Sequence, residues 1–315
     1  MLRLPSVRRV LSLVAAVVLT SLLLCCRPPD AGDKTGGRPT QVSPGQEVAP
    51  SASSPAAPIR IEPMVVFEEP TTPAAEEAEL SPAAEPQGKA SPVKRTTKPR
   101  VALIIDDMGY HQEIGDQLLQ LDLNLTFSFL PDGPYTNEQK KKAKDMGREI
   151  LIHLPMEPKS DAWNPGPSAL LAKDPASTIQ AKMLRLLETV PEAQGANNHM
   201  GSRFTEDAES MRVVMTTLKQ RSLFFVDSFT TAGSRGFTVA RQEGVPTARR
   251  HIFLDNVHQS RHVCRQIEQL IAVALKQGKA IGIGHPNQAT LLALTLCKKN
   301  LLDQVEVVRA GQLVE

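Results

Sequence analysis

The sequence is poor in aromatic residues and carries almost no net charge. Phe, Trp and Tyr make up 4% of the 315 residues, with one Trp and two Tyr, and the formal net charge is +2. Proteins that bind single-stranded nucleic acid stack bases on aromatic side chains, and strong positive charge attracts polyanions. We therefore expect no nucleic acid partner.

Cysteine is also scarce, and none of the four cysteines belongs to a C-x-x-C motif. This absence argues against a cysteine-bound metal. Only Cys264 and Cys297 lie where secondary-structure patterns are regular, each in a helix-like stretch. Two interpretations remain open for this pair: small buried residues, or a disulfide formed in an oxidising compartment.

Long apolar runs are absent except at the N-terminus. Three arginines among the first nine residues precede the apolar stretch Val10–Leu24. This arrangement is typical of a secretory signal peptide, and extension through Cys25 and Cys26 makes it almost long enough to cross a membrane. Residues 1–26 are therefore predicted to be a cleaved signal peptide, an uncleaved membrane anchor or a lipoprotein signal. All three predict an exported protein of the periplasm or cell envelope, held at the inner membrane if the segment is an anchor.

Residues 27–98 contain few large apolar side chains and more than half of the 25 prolines. A typical piece reads "APSASSPAAPIRIEP". Such a composition buries too little surface to offset the entropy lost on ordering. We predict a disordered Pro/Ala/Glu-rich linker that gives the following domain reach.

Motifs for nucleotide binding and serine hydrolysis are absent. No G-x-G-x-x-G follows the first predicted strand, and neither G-x-x-x-x-G-K-[ST] nor G-x-S-x-G occurs. These absences argue against nucleotide-dependent chemistry and against a nucleophile-elbow hydrolase.

From residue 99 onward, strand-like and helix-like patterns alternate. Strand patterns occupy 101–105, 124–130, 149–154, 223–228, 280–285 and 305–309, with short strands expected near 195–200 and 245–255. Helix patterns occupy 111–120, 135–146, 174–190, 205–220, 234–242, 257–277 and 288–300. Alternation of this kind produces a parallel sheet covered by helices. About seven β–α units in residues 99–315 favour a closed or nearly closed α/β barrel over an open sheet.

Acids and imidazoles follow several of these strands. They are Asp106, Asp107, His153, His199, Asp227 and His285, and the amide of Asn198 lies beside His199 in the sequence. The carboxyl ends of parallel strands meet at one end of a sheet, so we expect these side chains to gather there. Each could also be an ordinary buried residue without a functional role. For Asp227, a direct role at the site and a role as a hydrogen-bond organiser both remain open.

One carboxylate and two imidazoles form a good ligand set for Zn²⁺, with Ni²⁺ or Co²⁺ also compatible. A second carboxylate could accept the proton of an activated water, and a further histidine could protonate a leaving group. Adjacent carboxylates at one strand end could exchange these roles. Arginines near the predicted site, Arg203, Arg249 and Arg250, leave phosphate-directed metal chemistry open.

The motifs "IIDDMG", "FSFLPDG", "ILIHLPMEP", "NNHMGSRFT", "FFVDS" and "GIGHP" occur in this order. Together they resemble the divergent polysaccharide deacetylase family, which is related to NodB-type carbohydrate esterases, over about 98–308. The resemblance implies a distorted (β/α) barrel with a metal-dependent deacetylase site. It implies Asp106 as base, Asp107, His153 and His199 as metal ligands, and His285 as acid.

The sequence departs from the NodB-type pattern at two places. Glu157 stands four residues after His153, where that pattern has its second histidine ligand, so His199 is chosen from its strand-end position. The Arg-x-Pro-Tyr motif is replaced by "NHMGSRF", and Asn198 and Arg203 are expected to supply its contacts.

The function predicted from the sequence is metal-dependent removal of acetyl groups from an envelope polysaccharide or peptidoglycan amino sugar. Two alternatives remain: a non-catalytic envelope module that binds glycan or protein, and a different metal hydrolase. Trp163, on a loop rich in Pro and Gly, is open between stacking on a sugar ring and anchoring the loop. The oligomeric state cannot be read from the sequence.

Overall fold

The computed structural model describes residues 98–315. The predicted leader at 1–26 lies outside the described residues, as does the predicted linker apart from Lys98. Among the helices of residues 98–315, none combines the length and the apolar character needed to cross a bilayer.

Nine parallel strands form a single sheet, and helices follow most of them. The strands are β1 (Arg100–Met108), β2 (Thr126–Phe129), β3 (Glu149–Met156), β4 (Gly195–Met200), β5 (Phe224–Asp227), β6 (Thr247–Arg249), β7 (Ile252–Phe253), β8 (Lys279–Gly284) and β9 (Glu306–Val307). The helices are α1 (Gln112–Gln120), α2 (Thr136–Asp145), α3 (Ala176–Thr189), α4 (Ala208–Gln220), α5 (Gly236–Glu243), α6 (Ser260–Gln277), α7 (Gln288–Leu296) and α8 (Lys298–Gln304). The order across the sheet is β6-β5-β4-β3-β2-β1-β8-β7, and β9 also pairs with β1.

The segment 247–253 closes this sheet into a distorted barrel. Its first half, β6, pairs with β5, and its second half, β7, pairs with β8. Between the halves, Arg250 N–H donates to the carbonyl of Asp227 (2.9 Å) and His251 N–H donates to that of Ile281 (2.8 Å). One stretch of chain therefore joins the two edges of the sheet.

Side chains alternate between two faces of each strand, as the pleat requires. On β1, Val101, Leu103 and Ile105 pack in the large apolar cluster under the helices, whereas Ala102 and Ile104 belong to a smaller cluster inside the barrel. The same alternation holds on β3, where Leu151 faces the barrel interior and Ile152 faces the helices. The sequence alternation thus specifies which side chains can meet inside the barrel.

The interior is apolar at the end where the strands begin. Val308, Ala310 and Leu313, near the C-terminus, complete the inner apolar cluster at that end. The buried Glu149 holds this segment, because its carboxylate accepts the hydroxyl of Thr126 (2.7 Å) and the N–H of Gly311 (3.2 Å). Because this end is filled by apolar side chains, a polar site inside the barrel can lie only at the opposite end, where the strands finish.

The predicted α/β barrel is confirmed, with nine strands in residues 98–315 instead of about seven. The six clear strand patterns form six of them, the short strand expected near 195–200 is β4, and the one expected near 245–255 is divided into β6 and β7. The helix predicted over 288–300 is broken at Cys297 into α7 and α8.

Candidate metal centre

Three buried side chains from β1, β3 and β4 converge at the carboxyl end of the barrel. Asp107 lies near the end of β1, His153 in β3 and His199 in β4. One ligand atom from each lies within 4.8 Å of the others. His153 Nε2 is 3.2 Å and His199 Nδ1 is 2.9 Å from Asp107 Oδ1. The ligand set predicted from the sequence is thus brought together.

The backbone of β1 explains how consecutive aspartates reach the same site. Asp106 continues the inward alternation of Ala102 and Ile104, so a regular strand would turn Asp107 toward the helices. Instead Asp107 adopts a left-handed conformation with φ of 52°. The pairing of β1 with β2 also slips between Ile105 and Met108, as expected for a β-bulge. Together these irregularities let both carboxylates lie inside, where Asp106 is 0% and Asp107 5% exposed.

Asn197 links Asp106 to His153. Its Nδ2 donates to both carboxylate oxygens of Asp106, at 2.8 and 3.0 Å. Its Oδ1 lies 2.8 Å from His153 Nδ1 and accepts the hydroxyl of Ser128 at 2.5 Å. All four side chains are fully buried. These contacts leave Nε2 of His153 on the side of the carboxylates, 3.7 Å from Asp106 Oδ2.

The surroundings shift the pKa values of Asp106 and Asp107 in opposite directions. Burial raises the pKa of Asp106, although His153, His285 and Asn197 favour its charged form. Burial also opposes ionisation of Asp107, but His199 and hydrogen bonds from His153 and His199 outweigh it and hold the pKa of Asp107 well below its usual range. Carboxylate pairs whose pKa values differ in this way are typical of sites where one carboxylate stays ionised and the other exchanges a proton.

His285, which follows β8, is held by Asp255. Its Nδ1 is 2.9 Å from Asp255 Oδ1, and its N–H donates to Asp255 Oδ2 at 2.7 Å. Asp255 Oδ2 also accepts the side chains of Asn287 (2.8 Å) and Thr290 (2.5 Å). Burial works against the charge of Asp255, but His285 and these hydrogen bonds hold its pKa below its usual value. The ring of His285 is therefore fixed by a buried, ionised partner.

A cavity of about 460 Å³ joins these groups. Asp107, His199 and His285 line its floor. Its walls come from the β1–α1 connection, the end of β2, the 164–167 segment, the loop before α6 and the start of α7, namely Tyr110, His111, Ile114, Leu130, Asn164, Pro165, Gly166, Pro167, His258, Pro286, Asn287 and Gln288. These walls are mainly apolar and include no Lys or Arg. The cavity is open to solvent and large enough for a ligand of sugar size.

Two residues predicted at the site face the helices instead. Asn198 donates to the carbonyl of Met200 (2.8 Å) and accepts the N–H of Ser228 (2.9 Å), so it links the ends of β4 and β5. Asp227 accepts the N–H groups of Phe229 and Phe237 at 2.9 and 3.0 Å, together with the hydroxyl of Ser234 at 2.8 Å. Asp227 thus organises the turn into α5, the hydrogen-bond role considered from the sequence.

Two further predicted residues lie on loops beside the cavity but do not line it. Arg203 ties down the chain after β3, since its guanidinium donates to the carbonyls of Pro158 and Lys159 and lies 3.4 Å from a carboxylate oxygen of Glu157. Trp163 is half-buried immediately before the 164–167 segment of the cavity wall.

Asn197 and Asp255 were missed by sequence reasoning, although signals for both exist. In a strand, residues two apart share a face, so Asn197 and not Asn198 accompanies His199 into the barrel. Asp255 ends the apolar run "IFLD" in the same manner as Asp106 ends its own run. The shortness of β7 hides that second signal.

The three converging side chains fit a divalent transition metal. Ligand bonds of ~2.0–2.2 Å place neighbouring ligand atoms about 3–3.5 Å apart, close to the separations around Asp107 Oδ1. Two imidazoles and one carboxylate suit zinc and leave coordination positions open toward the cavity. A cation would also relieve the repulsion between the adjacent carboxylates. The donor set does not distinguish among Zn²⁺, Ni²⁺ and Co²⁺.

The chain is similar to proteins from several bacteria. It is 36% identical over 220 residues to an uncharacterised protein of Haemophilus influenzae, covering 68% of this chain and 76% of that one. It is 34% identical over 216 residues to the uncharacterised protein YibQ of Escherichia coli, covering 68% and 67%. A crystal structure of the uncharacterised protein ATU2773 from Agrobacterium tumefaciens superposes with a TM-score of 0.67 at 26% identity, covering 71% of this chain and 93% of that one.

The family description that matches this sequence is "Divergent polysaccharide deacetylase", and the match spans residues 103–314. That range includes every strand from the middle of β1 to β9, and with them all the residues of the candidate metal centre and its cavity. The chain belongs to the divergent polysaccharide deacetylase family.

Proposed function

We propose that this protein removes acetyl groups from amino sugars of an envelope polysaccharide or peptidoglycan, using a divalent metal, preferentially Zn²⁺, held by Asp107, His153 and His199. The observation that carries the proposal is the meeting of this ligand set with Asp106 and His285 at the carboxyl end of the barrel, where Asp107, His199 and His285 line a cavity. Family membership supports a polysaccharide substrate.

A divalent metal held by Asp107, His153 and His199 would polarise the acetyl carbonyl and make a water molecule more acidic. Asp106 is the group that accepts a proton from the attacking water. Its raised pKa brings the carboxylate closer to the working pH, which favours proton exchange. Asp107, with a lowered pKa, stays ionised as a ligand. The two carboxylates thus have separate tasks set by their surroundings.

His285 donates a proton to the departing amine. Because Asp255 holds Nδ1, Nε2 is the nitrogen that transfers this proton. The ionised Asp255 stabilises the positive imidazolium form of His285 before transfer. The cavity walls hold the sugar, and the exposed Asn164 and Gln288 offer hydrogen-bonding groups to its hydroxyls.

Metal binding and acetate release by the purified full-length protein test this proposal. We expect zinc to bind at micromolar concentration or tighter, and acetate to be released from N-acetylglucosamine oligomers. Asp106→Asn should keep zinc and lose acetate release, whereas Asp107→Asn and His199→Ala should lose zinc. Asp227→Asn is the matched control, because it makes the same chemical change in a buried strand-end acid that faces the helices; it should keep both properties.

Two outcomes would contradict the proposal. If the parent protein binds no divalent ion at micromolar concentration, the metal centre is wrong. If zinc binds but no acetate appears from a broad panel of acetylated glycans and peptidoglycan fragments, the protein is a non-catalytic module or a different metal hydrolase.

We also propose that the protein works outside the cytoplasmic membrane. The apolar run at Val10–Leu24 supports export, as does the disulfide between Cys264 and Cys297, because structural disulfides persist mainly in oxidising compartments. Thiol trapping in intact cells should find both cysteines oxidised, and added protease should reach the protein once the outer barrier is opened. Recovery of the reduced protein in the cytoplasm would contradict export.

A further inference from the structure

We propose that Asn197 is a positioning residue that sets two groups of the proposed site at once: the ring nitrogen that His153 presents to the metal, and the orientation of the Asp106 carboxylate. The inference rests on the metal centre of the proposed function. Asn197 itself lies outside the ligand set, since its side chain contacts His153, Asp106 and Ser128.

The orientation of the Asn197 amide is fixed by its partners. The carboxylate of Asp106, when ionised, can only accept hydrogen bonds, so the NH₂ group must face it. The amide oxygen then faces Ser128 and His153. The hydroxyl of Ser128 donates to that oxygen at 2.5 Å and opposes rotation of the amide. The reversed amide would set its oxygen against a carboxylate in a fully buried place.

This orientation dictates where the proton of His153 lies. The amide oxygen accepts and cannot donate, so Nδ1 of His153 must carry a hydrogen to bond with it across 2.8 Å. Nε2 lies 3.2 Å from Asp107 Oδ1 and can donate to it in the metal-free site; when a metal takes the place of that hydrogen, the neutral ring has its lone pair on Nε2. The opposite tautomer would place two lone pairs against each other without water to separate them. Asn197 therefore makes the ligand-competent tautomer the stable one.

The side-chain amide of Asn197 also orients Asp106, the proposed base. Its Nδ2 lies within hydrogen-bond distance of both oxygens of Asp106, at 2.8 and 3.0 Å. A contact to both oxygens restricts rotation of the carboxylate about its own bond. Because Asn197 is paired with His153 across β3 and β4, base and ligand keep a fixed separation.

Asn198 supplies a control on the opposite face of the same strand. It is the next residue on β4, it is an asparagine and it is 0% exposed. Its amide makes one donated and one accepted hydrogen bond, whereas the amide of Asn197 contacts both oxygens of Asp106, Ser128 and His153. The bonds of Asn198 go to backbone groups on the helix side. A general effect of losing a buried amide should therefore follow both residues, whereas a positioning effect should follow Asn197 alone.

The experiment compares Asn197→Leu with Asn198→Leu in the full-length protein. The protonation of His153 is observed by two-bond ¹H–¹⁵N correlation, assigned with His153→Gln, and zinc affinity is measured by calorimetry with zinc alone. We expect the parent and Asn198→Leu to show a hydrogen on Nδ1 of His153 and equal zinc affinities within about threefold. Asn197→Leu should lose the preference for Nδ1–H and bind zinc 10- to 100-fold more weakly. Melting temperatures should fall by similar amounts in both variants.

The inference is wrong if both leucine variants weaken zinc binding equally, or if Asn197→Leu keeps the Nδ1–H form and the parent affinity. If Asn197→Leu does not fold, Ser128→Ala is used instead, because it removes the hydrogen bond that holds the amide of Asn197. It should shift the tautomer of His153 in the same direction but by a smaller amount. An unchanged spectrum overturns the inference. These outcomes are separate from those of the proposed function. A parent that binds zinc without releasing acetate refutes the deacetylase and leaves the role of Asn197 intact, and the tautomer is measurable without activity.

Discussion

The side chain of His251 makes a contact that depends on its protonation state. Its Nδ1 accepts the N–H of Ile281 at 3.1 Å, next to the backbone bond from His251 to the carbonyl of Ile281. His251 is exposed overall, but loss of solvent around its ring, with the charges of Arg249, Lys279 and Arg250, lowers the pKa of His251 to about 4. A protonated Nδ1 cannot accept that hydrogen bond. Low pH therefore weakens the contact between the 247–253 segment and β8, where the barrel closes.

The sign of this effect follows from linkage. The unfolded chain, with an ordinary histidine pKa of about 6.5, binds more protons than the folded chain between pH ~6.5 and pH 4. The stabilisation from neutral His251 is therefore complete above pH ~6.5 and is lost as the pH falls through this window toward 4. We expect His251→Gln, which does not titrate, to lose less stability over this range. Urea unfolding of both proteins at several pH values measures the difference, and parallel losses would contradict the prediction.

Asp255 offers a second prediction for a single residue. Asp255→Asn removes the negative charge beside His285 but keeps a side chain of the same shape, so the imidazolium loses its stabilising partner. We expect acetate release to fall by about 10²-fold while zinc affinity stays unchanged, because Asp255 is absent from the ligand set. A variant with parent turnover would show that His285 does not depend on this pairing.

At the level of elements, a disulfide joins α6 to the end of α7. Cys264 lies in the second turn of α6, Cys297 follows the last residue of α7, and 33 positions separate them. Asp255 precedes α6 and His285 precedes α7, so the crosslink ties together the helices that follow the two members of this pair.

Removing the crosslink should lower stability. Closing a loop of this length reduces the entropy of the unfolded chain by an amount worth about 3–4 kcal/mol. We expect the double variant Cys264→Ser, Cys297→Ser to lose about that much free energy of unfolding in urea. A reducing agent should act similarly on the parent and leave the double variant unaffected. Equal stabilities of oxidised and reduced parent would contradict this account.

Alternation along the strands carried most of the information about elements and site. Five groups predicted from strand ends, Asp106, Asp107, His153, His199 and His285, do gather at one end of the barrel, and three of them, Asp107, His199 and His285, line the cavity. Asn198 and Asp227 both face the helices, and their selection has one cause: both residues were selected because they lie near a strand end, without asking which face they occupy. Counting in twos from the apolar residues of each strand assigns both to the helix side. For Asp227 this leaves the hydrogen-bond role, one of the two considered from the sequence.

Other features could not be obtained from local patterns. A regular strand would separate Asp106 from Asp107, and the left-handed turn at Asp107 depends on pairing with β2, which is a tertiary property. The break at Cys297 lies within an apolar, helix-compatible run, where no Gly or Pro marks an end. The pairing of Asp255 with His285 requires β7 beside β8, and two residues of strand are too few to predict that neighbour.

At the scale of the whole molecule, residues 98–315 hold the barrel, both apolar clusters, the disulfide and the candidate site. We expect a protein beginning at residue 98 to unfold in one cooperative transition and to bind zinc with the affinity of the full-length chain. Calorimetry on both proteins measures this. A fragment that is insoluble, or that binds zinc more than about tenfold more weakly, would show that the preceding residues contribute to the domain.

The chain enters the barrel at the end opposite the cavity. β1 begins at Arg100 on the filled, apolar end and reaches Asp107 near its other end; its 9 residues span about 30 Å at ~3.3 Å each. The chain before Arg100 therefore joins the barrel at the end away from the cavity. For the deacetylase proposed here, this junction leaves the cavity end of the barrel accessible to a long glycan strand.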